Sequence, residues 1–505
     1  MPDSHLPTDS AYARLEDRFR RLNALSEAQE ILHWDMSTVM PRGGHEARAE
    51  QLAELAAVHH GMLTGSETSD LIAAAEDDQA NLDDWQRANL REIKRRFVKA
   101  TALSEDLVTR LSRASSACEA VWRDARADND FKAVQPLVTE LLNLVREQAA
   151  AKSDALGLGL YDALLNDYEP GGQSAEIDTV FDELEAFLPG FLGEVLDHQA
   201  SQPDIIQPAG PFPEEKQKAL GQTFMEMLGF DFDHGRLDVS LHPFCGGTPD
   251  DVRITTRYDE DDFTSALMGV LHETGHAMYE RGLPHDWRGQ PVGHALGMSV
   301  HESQSLLVEM QVCRSDTFLK FAAPIMRETF QGNGPAWDAD NLFRLYTRVE
   351  RSFIRVDADE VTYPAHVILR YRLEKALIEG DMEIPDLPAA WNDGMERLLG
   401  IRPPTDTLGC MQDIHWYDGA WGYFPTYTLG AMTAAQLYAA AREQNSEIEP
   451  AIGRGDFAPL MTWLRENVHG RGSFVSAKDM LTQATGKPLD PKVFENHLRT
   501  RYLPA

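Results

Sequence analysis

Apolar residues that recur every third or fourth position constrain this chain more than any other feature of its sequence. From about residue 10 to 200, the stretches LEDRFRRLNALSEAQEILHWD, EARAEQLAELAAVHHGMLTG and DDWQRANLREIKRRFVKATAL all carry that spacing, which predicts a helical N-terminal half. Breaks at MPRGG (40–44), YEPGG (168–172) and QPAGPFPEE (207–215) supply the proline and glycine that end or separate helices. The last break marks a lobe boundary between a helical half, 1–230, and a second half, 231–505, the two expected to form one compact unit. No fixed repeat period appears, which excludes a solenoid.

Between 236 and 258 the pattern changes to alternation. RLDVSLH and DVRITTRY are rich in β-branched residues, with PFCGGTPD between them as a Gly/Pro turn, so a small antiparallel pair is expected. Directly after it, DEDDFTSALMGVLHETGHAMYERG has acidic residues at its start, Gly282 at its end and apolar residues at helical spacing. That places HETGH in mid-helix. Beyond 300 the chain reads as helical again, interrupted by GNGPAWDADN, IPDLP and an aromatic, Gly-rich loop from 409 to 430. The expected fold is mainly α, with a small β-sheet beside the HETGH helix.

Residues i and i+4 share one helix face, so His272 and His276 can aim ring nitrogens at one point about 2.0–2.1 Å from each. Glu273 flanks that point and is placed to take a proton from an activated water. Two histidines and a glutamate do not complete a metal centre. Position 282 is glycine, so the metzincin arrangement, which needs a histidine there, is excluded. Glu280 is four residues after His276, but three side chains on one helix cannot close a tetrahedron. His285 and His294 lie in a Pro/Gly-rich stretch and read as loop histidines. SVHESQSLLVEMQV (299–312) reads as a second helix that offers His301, Glu302 and Glu309. A glutamate on a following helix is the gluzincin arrangement, and spacing favours Glu302 over Glu309. Leu306 stands where a thermolysin-type enzyme has an orienting carboxylate, so the groups that orient the ligands stay unassigned.

The segments HPF (242–244), DVRIT (251–255), HETGH (272–276), HESQS (301–305), IRVDAD (354–359) and GCMQDIHW (409–416), with WDMSTVMPRGG (34–44), together resemble the carboxypeptidase Taq family of zinc metallocarboxypeptidases. The resemblance implies a mostly helical gluzincin fold with a deep substrate groove, a homodimer, and removal of C-terminal residues from peptides one at a time. It makes His272, His276 and Glu302 the metal ligands, settling the choice against Glu309, and Glu273 the general base. Zinc is the expected ion, with cobalt able to replace it.

The oxyanion needs a donor besides the metal, and His415, Tyr423 and Tyr427 are candidates. An exopeptidase must also hold a free carboxylate, for which arginine's forked donors are suited. Arg355 and Arg253 lie in motif segments and are the candidates, with His242 as a further groove residue; each of the arginines could equally form a structural ion pair. Rival readings are a helical gluzincin oligopeptidase or dipeptidase, and a non-catalytic peptide-binding scaffold, against which the intact Glu273 argues.

Charge and cysteine usage bound the setting. With 81 acidic against 47 basic residues and a net charge of −34, nucleic acid and anionic membranes meet repulsion, so neither is an expected partner. The four cysteines form no CxxC pair, and the N-terminus lacks a basic start followed by an apolar run. A cytoplasmic protein acting on peptides with a free C-terminus is expected.

Overall fold

A computed structural model describes residues 9–503. Residues 1–8, part of the N-terminal stretch used in the localisation argument, lie outside the described residues. The chain is mainly helical, as its periodicity predicts, and the sequence breaks fall between helices. MPRGG holds the short turn Arg42–Gly44 that separates helices Ala11–Thr38 and His45–Thr64, and YEPGG separates Leu160–Leu165 from Ser174–Ala200. Local chemistry fixes the helix ends. The Ser10 side chain accepts from Ala13 N, and Asp83 and Gln86 cap each other's backbone amides reciprocally. Gly157, Gly229, Gly380 and Gly400 end helices in the left-handed conformation.

Buried apolar side chains form three clusters. Tyr12, Leu15, Phe19, Leu71 and Ile93 pack among the first helices. A second surrounds the HETGH helix, with Phe224, Val270, Leu271, Leu307, Phe318 and Leu437. The third combines Leu142, Phe181 and Leu188 with Tyr371, Trp391, Trp416 and Leu498, and so joins segments far apart in sequence. Among the described residues, no helix is long and apolar enough to cross a membrane. All four cysteines are unpaired.

The sheet departs from the expected antiparallel pair. It has three strands in the order β1-β3-β2: β1 (Gly235–Val239), β2 (Cys245–Thr248) and β3 (Asp251–Thr256). β1 runs parallel to β3, with Leu237 opposite Ile254, and the antiparallel partner of β3 is β2. The reason lies in the segment read as a turn. CGGT has almost no side-chain preference for a strand, yet its backbone pairs with β3 through the tight Pro249–Asp250 reversal, leaving the other edge of β3 to β1. Gly247 makes this possible: its φ is +85°, and a Cβ there would lie 2.2 Å from the Asp251 carbonyl oxygen. β2 is consequently an edge strand. It lines a cleft of about 440 Å³ in which Asn23, Ser26 and Glu30 of the first helix face Cys245 to Pro249.

Two other boundaries moved. The loop read as 409–430 contains a short helix, His415–Asp418, and gives way at Pro425 to the helix Pro425–Gln444. Proline at the first helical position starts that helix, and burial of Leu429, Met432 and Leu437 sustains it. The stretch read as one helix over 299–312 is α-helical only over Met298–Leu306 and continues as a π-helix over Leu307–Cys313.

Gly247→Ala should cost about 1–3 kcal/mol, the range for forcing a side chain into a disfavoured backbone region. Gly246→Ala should cost less, since its added Cβ would meet only the Phe244 ring, at 3.2 Å. Urea midpoints of the two variants against the parent check this ranking.

Candidate metal centre

The HETGH helix, Phe263–Gly282, is started by Asp262, whose side chain accepts from Thr264 N. His272 and His276 leave the same face one turn apart, with ring centroids separated by 5.0 Å. Between them, Gly275 admits a second backbone. A Cβ at Gly275 would lie 2.5 Å from the Gln304 carbonyl oxygen and 2.6 Å from Ser305 Cα. The HESQS helix, Met298–Leu306, therefore crosses in direct backbone contact and brings Glu302 against both rings. Glu302 Oε2 lies 3.6 Å from His276 Nε2 and 4.0 Å from His272 Nε2. Gly430 makes room on the opposite side, where an added Cβ would lie 2.8 Å from Glu302 Cβ.

One ligand atom from each of His272, His276 and Glu302 falls within 4.8 Å of the others. Tetrahedral ligands about 2.1 Å from one divalent ion lie about 3.4 Å apart, so a small contraction would close this set on an ion. Two imidazoles and a carboxylate are also the donors that borderline divalent ions accept. The residues present fit a metal.

Each imidazole is gripped through its other nitrogen. His272 Nδ1 bonds Glu309 Oε2 at 2.9 Å, and the second oxygen of Glu309 accepts from Arg314 Nη2 at 2.6 Å. His276 Nδ1 meets His301 Nδ1 at 2.7 Å, and His301 Nε2 meets Glu280 Oε1 at 2.9 Å. Holding Nδ1 fixes the ring plane and presents Nε2 to an ion. Sequence reasoning missed this layer. Its signals were His301 and Glu309, weighed only as ligands, and Glu280, set aside as a ligand four residues after His276.

Burial and neighbouring charge separate the proton affinities. Burial opposes charging of His272, but the hydrogen bond to Glu309 and the charge of Glu302 outweigh it and push the ring up to about 10. Burial holds His276 well below its usual range, with the His301 and His272 charges acting in the same direction. Glu273, only 7% exposed, is pushed up to about 7 by burial against the opposing pull of His272. A carboxyl poised near neutrality can both take and return a proton.

The aromatic candidates form one group. Tyr427 Oη lies 3.4 Å from His415 Nε2, and the Tyr423 and Tyr427 rings are 5.0 Å apart. Burial pushes His415 down to about 4 and raises both tyrosines, and the Glu302 charge adds to the rise in each. All three are therefore neutral donors near neutral pH. Glu374 anchors the segment that carries them, accepting from Tyr161 Oη at 2.7 Å, Trp416 Nε1 at 2.7 Å and Gly422 N at 2.8 Å.

The two arginines have different surroundings. Arg355 is buried, donates to Asp413 from Nε and Nη2 at 3.1 and 2.8 Å and to Tyr363 Oη from Nη1 at 2.9 Å, and lies 5.0 Å from the Tyr427 ring centroid. Arg370 shares the same Asp413. Arg253 pairs with Asp251 through Nε and Nη2 at 2.9 and 2.5 Å and stacks on Trp34 at 4.6 Å, with Arg236 also on that ring at 4.9 Å. His242 is exposed between β1 and β2.

Residues 14–502 match the family model described as carboxypeptidase Taq (M32) metallopeptidase. Thermostable carboxypeptidase 1 of Thermus thermophilus is 37% identical over 504 residues, covering 98% of both chains. Carboxypeptidase 1 of Bacillus subtilis is 34% identical, covering 96% of this chain and 97% of its own. Among solved structures, Trypanosoma cruzi metallocarboxypeptidase 1 aligns with a TM-score of 0.96 at 41% identity, covering 98% of this chain and 99% of that one. The carboxypeptidase of Pyrococcus furiosus aligns at 0.92 and 32% identity over 98% and 99% of the two chains.

The Asp413 cluster yields a stability prediction. Burial alone would raise the Asp413 carboxyl, but Arg370 and Arg355 hold it well below the usual carboxylate range. Its contribution is therefore fully present above the unfolded-state pKa of about 3.9 and is lost as pH falls through the lower folded value. Asp413→Asn strands two buried guanidiniums and should lower stability at neutral pH by about 3–5 kcal/mol. The acid limb of its stability profile should also be flatter, as urea unfolding between about pH 5 and 2 would record.

Proposed function

The chain belongs to the carboxypeptidase Taq (M32) metallopeptidase family and is a metal-dependent carboxypeptidase; on that premise we propose that His272, His276 and Glu302 hold the ion and that Glu273 is the general base. The observation that carries this assignment is the meeting of three ligand atoms within 4.8 Å beside a buried Glu273. We read the ion as zinc, with cobalt able to replace it, because a His/His/Glu set accepts several borderline ions. When bound, such an ion lowers the pKa of a water and polarises the scissile carbonyl.

The residues of the chain perform the remaining steps. Glu273 takes the proton of the attacking water and passes it to the leaving amine. As negative charge grows on the carbonyl oxygen, one or more of His415, Tyr423 and Tyr427 donates a hydrogen bond to it. Their neutrality lets them answer that charge without carrying a cation into the site. Arg355 receives the terminal carboxylate of the substrate: Asp413 and Tyr427 fix its plane in advance, and its position is supported by the influence of its charge on Glu302. Arg253, committed to Asp251 and Trp34, and the exposed His242 are assigned to the wall of the groove.

A site that reads a free carboxylate next to the reacting bond releases single residues. Residues 1–230 wall the groove opposite β2, a reading supported by the cleft between the first helix and that strand. The family resemblance supports a homodimer, and four unpaired cysteines are in keeping with the cytoplasm.

Glu273→Gln should lower kcat by about 10²–10⁴-fold or more while the protein keeps its zinc. Metal analysis alongside initial rates checks both halves, and undiminished turnover would refute the general-base role. A C-terminally amidated peptide should be cleaved far more slowly than the free acid. Equal rates would replace carboxylate recognition with the oligopeptidase reading.

A further inference from the structure

The helix that carries Glu302 changes character just where it supplies the partner of His272. From Leu307 to Cys313 it is a π-helix, in which amides reach back five residues; the Arg314 amide that closes it donates to the Glu309 carbonyl oxygen at 3.1 Å. π-turns are rare and need support from outside the helix. Glu309 lies in this turn, 8% exposed, so the widened backbone decides where its carboxylate points.

The support comes from the other end of the chain. Helix termini leave their last carbonyls without intrahelical partners. The amides that follow, of Arg314 and Ser315, turn to the Glu309 and Val312 carbonyls and leave those of Met310 and Gln311 open. Both are taken by Arg501 of the C-terminal helix Pro491–Tyr502, from Nη1 to Met310 O at 2.5 Å and from Nη2 to Gln311 O at 3.1 Å. Glu360 steadies the guanidinium, with Oε2 at 2.9 Å from Nη1. The same carboxylate accepts from Tyr502 Oη at 3.0 Å and Gln311 Nε2 at 3.1 Å and meets His497 Nε2 at 2.8 Å. Two helices are thus locked around one buried carboxylate, and the arginine fork spans two successive carbonyls as a lysine could not.

We propose that Arg501 is a positioning residue for the metal centre: by clamping the Met310 and Gln311 carbonyls it holds the π-turn that aims Glu309 at His272. The proposal rests on His272 being a ligand. It makes metal affinity depend on a C-terminal side chain that touches no ligand.

The test compares Arg501→Met, Arg501→Lys, Glu309→Gln and the double variant Arg501→Met/Glu309→Gln. Phe494→Leu, a core change in the same helix, serves as the control for lost packing. Zinc dissociation constants come from competition with a chromophoric chelator, on proteins whose circular dichroism shows them folded. Arg501→Met should weaken zinc binding by about 10–100-fold, the usual range for losing an orienting partner. Arg501→Lys, which keeps the charge beside Glu360, should recover part of that loss and provides the reading if the methionine variant does not fold. The double variant should bind no more weakly than Glu309→Gln alone, and Phe494→Leu should bind like the parent despite a lower Tm. Parental affinity in the Arg501 variants, a loss matched by Phe494→Leu, or additivity with Glu309→Gln would each overturn the proposal. His272→Ala separates the premise: zinc retained there overturns the ligand assignment, whereas zinc lost there with parental affinity in the Arg501 variants overturns the positioning role alone.

Discussion

The candidate metal centre depends on two helices meeting with no side chain between them. His272 and His276 are fixed to one helix and Glu302 to another, and their ligand atoms converge because the HESQS backbone lies against Gly275. One added carbon there would overlap the Gln304 carbonyl and push Glu302 away from both rings. Gly430 imposes the same condition from the helix Pro425–Gln444, so Glu302 is held between two glycine-cut faces. Glycine inside a helix costs about 1 kcal/mol against alanine, and here two helices carry that cost for close approach. Apolar burial around Val270, Leu271, Leu307 and Leu437 offsets it.

Such an interior concentrates charge, and the fold manages it by giving each buried carboxylate a different environment. Glu273 and Glu302 are raised by burial, whereas Arg314 and His272 bring Glu309 below its usual value despite burial. Asp413 lies between two guanidiniums and Glu374 among three neutral donors, so one stays firmly charged and the other is pushed up to about 7. Carboxyls of similar intrinsic acidity thus take different charge states, the spread that the proposed roles of base, ligand and orienting group call for.

The sequence disclosed what depends on periodicity and local chemistry. Helical spacing gave the fold class, and the i, i+4 pair in HETGH located the first two side chains that the structure brings together with Glu302. Features set by tertiary contact were not legible. β2 has a Gly-Gly centre with no strand preference and exists through its pairing with β3. The π-turn has no signature in LVEMQVC and is held by an arginine 190 residues further along the chain. Glu309 and His301 are legible only as rival ligands to Glu302, and Glu280 only as a carboxylate on the HETGH helix; their hydrogen bonds to His272 and, through His301, to His276 depend on the crossing at Gly275.

The Gly-Gly centre of β2 carries one more consequence. An edge strand meets a neighbouring chain through main-chain amides and carbonyls, and at Gly246 and Gly247 there is no side chain to favour one sequence over another. A peptide that paired with that edge would be measured by the spacing of its backbone, much as a ruler is indifferent to what it measures. Under the proposed function, discrimination falls to the far end, where a substrate carboxylate either meets Arg355 or does not.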